Sequence, residues 1–118
     1  MKGNILVEKS KQFAKEIVFT AKEIQQTHKE YALTDQLMRS GTSIGANIHE
    51  ANYAQGRADF ISKLEIALKE CYESDYWLEL MTETGYLDEA KYKKLNHDCG
   101  ELRKLLITSC TTAKANKV

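Results

Sequence analysis

The chain has 118 residues, enough for one compact unit of the usual ~100–200 residues and little besides. Apolar residues make up 42% and charged residues 29%, which is too apolar for intrinsic disorder. Seventeen basic residues balance seventeen acidic ones, so the strong overall basicity of many nucleic-acid binders is excluded.

The chain has no proline, so no backbone donor is lost where a helix could run. Residues 1–8 hold three consecutive apolar side chains, Ile5 to Val7, before Glu8, far short of a secretory core of ~7–15 residues. No stretch approaches the ~18 apolar residues of a membrane span. A soluble, cytoplasmic protein with no membrane association is expected. Cys71, Cys99 and Cys110 form no close pairs of the kind that bind zinc, and they are read as small core residues.

In the first segment, about residues 4–26, Leu6, Phe13, Ile17 and Ile24 recur at helical spacing among lysines and glutamates. Thr34 and Asp35 then supply an N-cap and an acidic first turn for a second helix over 34–52. Its apolar stripe is Leu37, Gly41, Ile44, Ile48 and Ala51; its polar stripe is Arg39, Ser43, Asn47 and Glu50. Gly41 and Gly45 each cost ~1 kcal/mol of helix propensity, which points to a second helix approaching across them. The third helix, 57–84, repeats Phe60, Leu64, Ala67, Cys71, Ser74, Leu78 and Met81 in four-three alternation, the pattern of a bundle seam. Gly85 suits its left-handed C-terminal turn, with Tyr86 and Leu87 folding back. Asp88 then caps a fourth helix, 88–113, with Leu95, Cys99, Leu102, Leu106, Ser109 and Ala113 as its seam, and residues 114–118 are expected to fray. Short loops favour antiparallel neighbours, so the predicted fold is all-α: a single up-down-up-down antiparallel four-helix bundle.

The third helix carries more apolar surface than one core needs. Ile61, Leu68, Tyr72 and Tyr76 lie on the row beside the seam, with Ile66, Trp77 and Leu80 further round. Ile61, Ile66, Leu68, Tyr72, Tyr76 and Trp77 are therefore candidates for a homo-oligomer interface. Charge is uneven along the chain: residues 55–84 carry a net −4, residues 1–33 a net +2 and residues 85–118 a net +3. Acidic and basic helices of neighbouring copies can meet head to tail. An alternative is RNA or DNA binding by Lys91, Lys93, Lys94, Arg103 and Lys104, joined by Lys11, Lys15 and Lys22. Asp88, Glu89, Asp98 and Glu101 on the same helix favour a mixed solvated surface instead.

Signals for catalysis are weak. Gly41-Thr42-Ser43-Ile44-Gly45 matches the nucleophile elbow in letters, but that motif needs a strand-to-helix turn and no strand pattern precedes it. His28, His49 and His97 lack a histidine or cysteine partner at i+4, and no phosphate loop or dinucleotide fingerprint occurs. Glu50, Glu73 and Asp75 are more simply paired with a cation such as Arg39 than used as acid and base. The expectation is a non-enzyme with no cofactor and no metal.

The run Arg39-Ser40-Gly41-Thr42-Ser43-Ile44-Gly45-Ala46-Asn47-Ile48-His49-Glu50-Ala51, followed by Asp59-Phe60-Ile61, Leu64-Glu65-Ile66-Ala67-Leu68 and Gly85-Tyr86-Leu87, resembles the bacterial four-helix bundle proteins known as 23S rRNA intervening-sequence or S23-type proteins. The resemblance runs from the first helix to about Cys110. It implies a four-helix bundle that assembles into a homo-oligomeric ring, a pentamer, with no enzymatic activity. It also implies packing and helix-helix polar contacts for Arg39, Ser40, Ser43, Asn47, Glu50 and Glu73. Relatives are encoded within large-subunit rRNA genes or stand alone, and a related retroelement accessory protein works with a reverse transcriptase and RNA. This chain departs from the family pattern at Ala51, commonly glycine, and at Lys69-Glu70, often Gly-Ser.

Overall fold

The structure, a computed structural model, describes residues 3–116, with side chains from Ile5 onward. The amphipathic segments form four helices: α1 (Gly3–His28), α2 (Ala32–Ala51), α3 (Arg57–Glu83) and α4 (Glu89–Ala115). Each turns its apolar stripe inward. The core is built from Leu6, Phe13, Ile17 and Ile24 of α1, Leu37, Ile44 and Ile48 of α2, Leu64, Leu78 and Met81 of α3, and Leu95, Leu102 and Leu106 of α4.

The helices pack in chain order around this core. α2 lies against both α1 and α3, α3 against α4, and α4 closes more sparsely on α1, while the backbones of the diagonal pairs stay apart among the described residues. Cross-helix contacts fix the directions. Lys9 meets Glu101 and Glu16 meets Lys94, so α1 and α4 run antiparallel. Arg39 meets Glu70 and Glu50 meets Lys63, so α2 and α3 do as well. Asp75 meets Arg103 and Glu65 meets Lys114, so α3 and α4 are antiparallel too, and α1 and α3 are therefore parallel to each other on opposite sides of a rod 52 × 21 × 19 Å. This is the expected up-down four-helix bundle.

Helix ends follow local chemistry. α2 begins at Ala32 and not at Thr34, because Glu30 does the capping: its carboxylate accepts from Leu33 N at 2.9 Å and Thr34 N at 3.0 Å. Thr34 is fully buried inside the first turn, where its hydroxyl accepts from Gln25 Nε2 at 2.9 Å and donates to Glu30 O. Gln25 also donates to Asp35 Oδ1, tying the end of α1 to the start of α2. Gly85 ends α3 at φ +87°, and Tyr86 N and Gly85 N close back on Met81 O and Thr82 O in a Schellman turn. Asp88 Oδ1 accepts from Lys91 N at 2.8 Å to start α4. The expected fraying from residue 114 is corrected in part: Lys114 and Ala115 are helical and Lys114 Nζ bridges to Glu65 at 2.6 Å, while residues 117–118 lie outside the described residues.

The two glycines of α2 face α1, as their cost in helix propensity suggested. A Cβ on Gly41 would lie 2.9 Å from Ile17 Cγ2, and one on Gly45 would lie 3.4 Å from Ser10 Oγ. All three cysteines are buried and free. Cys99 Sγ donates to Cys71 O at 3.4 Å, and the neighbouring Cys71 thiol, together with burial, raises its pKa and keeps it a neutral thiol.

Candidate interaction surface

The polar stripe of α2 forms a ladder along the groove to α3. Asn47 Nδ2 donates to Ser43 O at 2.8 Å, and Ser43 Oγ donates to Arg39 O at 2.6 Å. Arg39 then crosses to α3, donating from Nη1 to Glu70 Oε1 at 3.4 Å and from Nη2 to Glu73 Oε2. Glu73 Oε2 also accepts from Trp77 Nε1 at 3.0 Å, and so fixes the indole. At the other end Glu50 pairs with Lys63 of α3 at 3.0 Å. Ser40 is buried and its hydroxyl accepts from Ser74 Oγ at 3.0 Å, the one hydroxyl pair joining α2 to α3 among the described residues.

The three carboxylates Glu50, Glu73 and Asp75 are not brought together: they pair with Lys63, Arg39 and Arg103 respectively. Asp75 faces α4, where Oδ2 accepts from Arg103 Nη1 at 2.7 Å. Burial pushes its carboxyl above the ordinary value, against the opposing pull of the Cys99 thiol and the Arg103 guanidinium. Ser43 lies in the middle of α2 with its hydroxyl on the Arg39 carbonyl, so the elbow-like letters there sit on a helix and not on a strand-to-helix turn.

The apolar candidates of α3 divide. Leu68 and Trp77 are partly buried against the core, and Ile61 is half-buried. Ile66, Tyr72 and Tyr76 are exposed, at 38%, 53% and 57%. Tyr76 stands edge-on to Trp77 with ring centroids 5.0 Å apart, and Tyr72 sits under the Arg103 guanidinium at 5.7 Å. Glu65, Lys69, Tyr72, Tyr76, Glu79 and Glu83 follow one another at four-three spacing and are all exposed, so together they form the outward row of α3.

The cations of α4 proposed for nucleic acid do not share a face, whereas Lys11, Lys15 and Lys22 lie exposed on one face of α1. Lys94 turns to the α1 seam and pairs with Glu16 and Asp98, whereas Arg103 turns to α3 and pairs with Asp75. Lys93 and Lys104 are exposed, and Lys91 is half-buried at the α1 side. His97, Asp98 and Glu101 bring ligand atoms within 4.8 Å of one another on the surface of α4, but Lys94 and Lys9 already engage the two carboxylates.

Large exposed residues that escaped the sequence reading include Ile107 of α4 and Phe19 of α1. Phe19 of α1 is 68% exposed. Its signal is its place off the Leu6, Phe13, Ile17 and Ile24 row and between Lys15 and Lys22, in the helix's polar face.

Residues 2–108 match the family described as 23S rRNA-intervening sequence protein. The chain belongs to that family. Among solved structures, a protein with unknown function from the S23 ribosomal protein family of Bacteroides thetaiotaomicron VPI-5482 is 50% identical, with a TM-score of 0.92 over 94% of this chain and 99% of that one. A comparison with curated proteins finds no match. In this S23-type chain Arg39 and Glu50 join α2 to α3 by ion pairs while Ser43 and Asn47 bond back along α2, and the outward row of α3 is left open to solvent. No helix among the described residues is long and apolar enough to cross a membrane.

Proposed function

We propose that this chain is a non-enzymatic, cytoplasmic S23-type module that works as a homo-oligomer, five copies in a ring by its family resemblance, and acts by binding other macromolecules. The observation that carries the reading is the outer face of α3. Ile66, Tyr72 and Tyr76 are exposed, Tyr76 edge-on to a half-buried Trp77, on a helix whose opposite side already fills the core. Surface of this kind, aromatic and rimmed by charge, is the composition of a protein interface. The polar ladder of α2 holds the face in place through Glu73 and Trp77.

Light scattering after size exclusion tests the reading. The wild-type chain is expected at a multiple of its 13.5 kDa, with a protein-like ratio of 260 to 280 nm absorbance. Ile66→Ser with Tyr76→Ser is expected to lower that mass while leaving the helical circular dichroism unchanged. A double variant that keeps the wild-type mass would contradict the role given to α3.

A further inference from the structure

At the end of the bundle where α2 and α4 finish and α3 begins, the core runs out of large side chains. The four-three seam of α4 passes from Leu102 and Leu106 to Ser109 and Ala113, and α2 closes its stripe with Ala51. Beside these small residues lies a hollow of about 800 Å³, within the ~300–1,000 Å³ usual for small-molecule sites. Half-buried Phe60, with Ala51, Ala54 and Ala113, makes its apolar wall.

Polar groups converge on the same hollow. The hydroxyls of Thr108, Ser109 and Thr112 come from α4, and the carboxamides of Asn52 and Asn116 from just beyond the ends of α2 and α4. None of these five side chains has a hydrogen bond within the chain among the described residues. By contrast, the hydroxyls of Thr42, Ser43 and Thr82 each return to a carbonyl one turn back in their own helix. Arg57, in the first turn of α3, brings a cation to the lining. Among the described residues no carboxylate lines the hollow, and Asp59, two residues on, is engaged with the loop, where Oδ2 accepts from Gln55 N at 3.3 Å.

We propose that this hollow binds a small planar heteroaromatic anion of the nucleoside monophosphate class. Phe60 and the alanines give a base its apolar wall, and carboxamides both donate to and accept from a base edge. The hydroxyls suit a sugar, and the Arg57 guanidinium, with five donors, can take a phosphate oxygen beside any other partner it holds. A wholly apolar ligand would leave the hydroxyls and carboxamides unpaired, and a cation would meet Arg57 with no carboxylate in the lining to balance it. Binding here does not require that copies of the chain assemble.

Calorimetric titration of the full chain with adenosine and uridine monophosphates tests the site, with adenosine and inorganic phosphate as part-ligands. Each monophosphate is expected to saturate at one per chain and to bind more tightly than either part. Arg57→Gln is expected to weaken the monophosphates about tenfold, the usual effect of losing a charge-assisted hydrogen bond, and to leave adenosine unchanged. Ser109→Leu fills the hollow and is expected to abolish binding of every probe, with a circular dichroism melt unchanged or raised. Thr112→Val, which removes one hydroxyl and keeps the shape, is expected to weaken binding in the same direction and serves if Ser109→Leu fails to fold. Monophosphate binding that neither α4 variant changes would overturn the proposal by placing the ligand elsewhere. Equal losses of adenosine and monophosphate in Arg57→Gln would overturn the anionic class. A wild type that binds none of the probes, or whose signal rises without saturating, would overturn the site altogether and leave the hollow a gap in the packing.

Discussion

Gly41 and Gly45 stand four residues apart on the same face of α2, yet they carry different constraints. A methyl on Gly41 would meet Cγ2, Cγ1 and Cβ of Ile17 at 2.9, 3.0 and 3.3 Å, and Ile17 is fully buried and stiff at its branched Cβ. Overpacking of this kind costs ~1–3 kcal/mol, which outweighs the ~1 kcal/mol that alanine gains in helix propensity. At Gly45 the nearest atom would be 3.4 Å away, ordinary contact. Urea unfolding is therefore expected to show Gly41→Ala destabilised by about 1 kcal/mol and Gly45→Ala unchanged or more stable by up to about 1 kcal/mol. Asp75 gives a second test at this scale. Burial raises its pKa above the ordinary 3.8, so the folded chain holds more protons than the unfolded one between that value and the higher folded one. Its contribution to stability is then fully present below the ordinary value and is lost as pH rises through the folded value. Comparing unfolding of the wild type with Asp75→Asn, the wild type should gain relative stability as pH is lowered through that window. The opposite slope would mean that Arg103 outweighs burial.

At the scale of elements, the start of α2 depends on a side chain outside the helix. Glu30 takes two of the first-turn amide hydrogens, so Glu30→Ala is expected to cost ~1 kcal/mol, the usual worth of a cap, read as a lower urea midpoint. This is also where the sequence was least legible. Thr34 followed by Asp35 has the letters of an N-cap, but Thr34 is drawn into the first turn by Gln25 and by the Glu30 carbonyl, contacts that no local pattern announces. The turn at Gly85 and the cap at Asp88 could be read directly, because a left-handed glycine and an N-cap aspartate act within three or four residues. The seams were legible for a similar reason: four-three alternation on each helix leaves one burial pattern consistent with all four. The α2 ladder was half legible. Its spacing showed that Arg39, Ser43, Asn47 and Glu50 share a face, but not that Arg39 would choose Glu70 and Glu73, or that Glu50 would take Lys63.

At the scale of the whole molecule, a neutral chain hides an ordered charge distribution. The outward row of α3, with Tyr72, Tyr76, Glu79 and Glu83, and the exposed Lys11, Lys15 and Lys22 of α1 lie on opposite sides of the rod, because α1 and α3 are its diagonal helices. The sequence showed surplus apolar residues on the third helix but could not divide them into those that roof the core, such as Leu68 and Trp77, and those left outside, such as Tyr72 and Tyr76. That division depends on where α2 and α4 lie, a property of the packed bundle. Phe19 escaped notice for the converse reason, since a single aromatic in a polar face has no periodicity to announce it. The direct measurement is the native mass of the wild-type chain by light scattering across a tenfold dilution, at low salt and at about 1 M salt, where the Debye length falls to ~3 Å. An assembly of several 13.5 kDa chains is the expected result, and a single chain at every concentration and salt would contradict it.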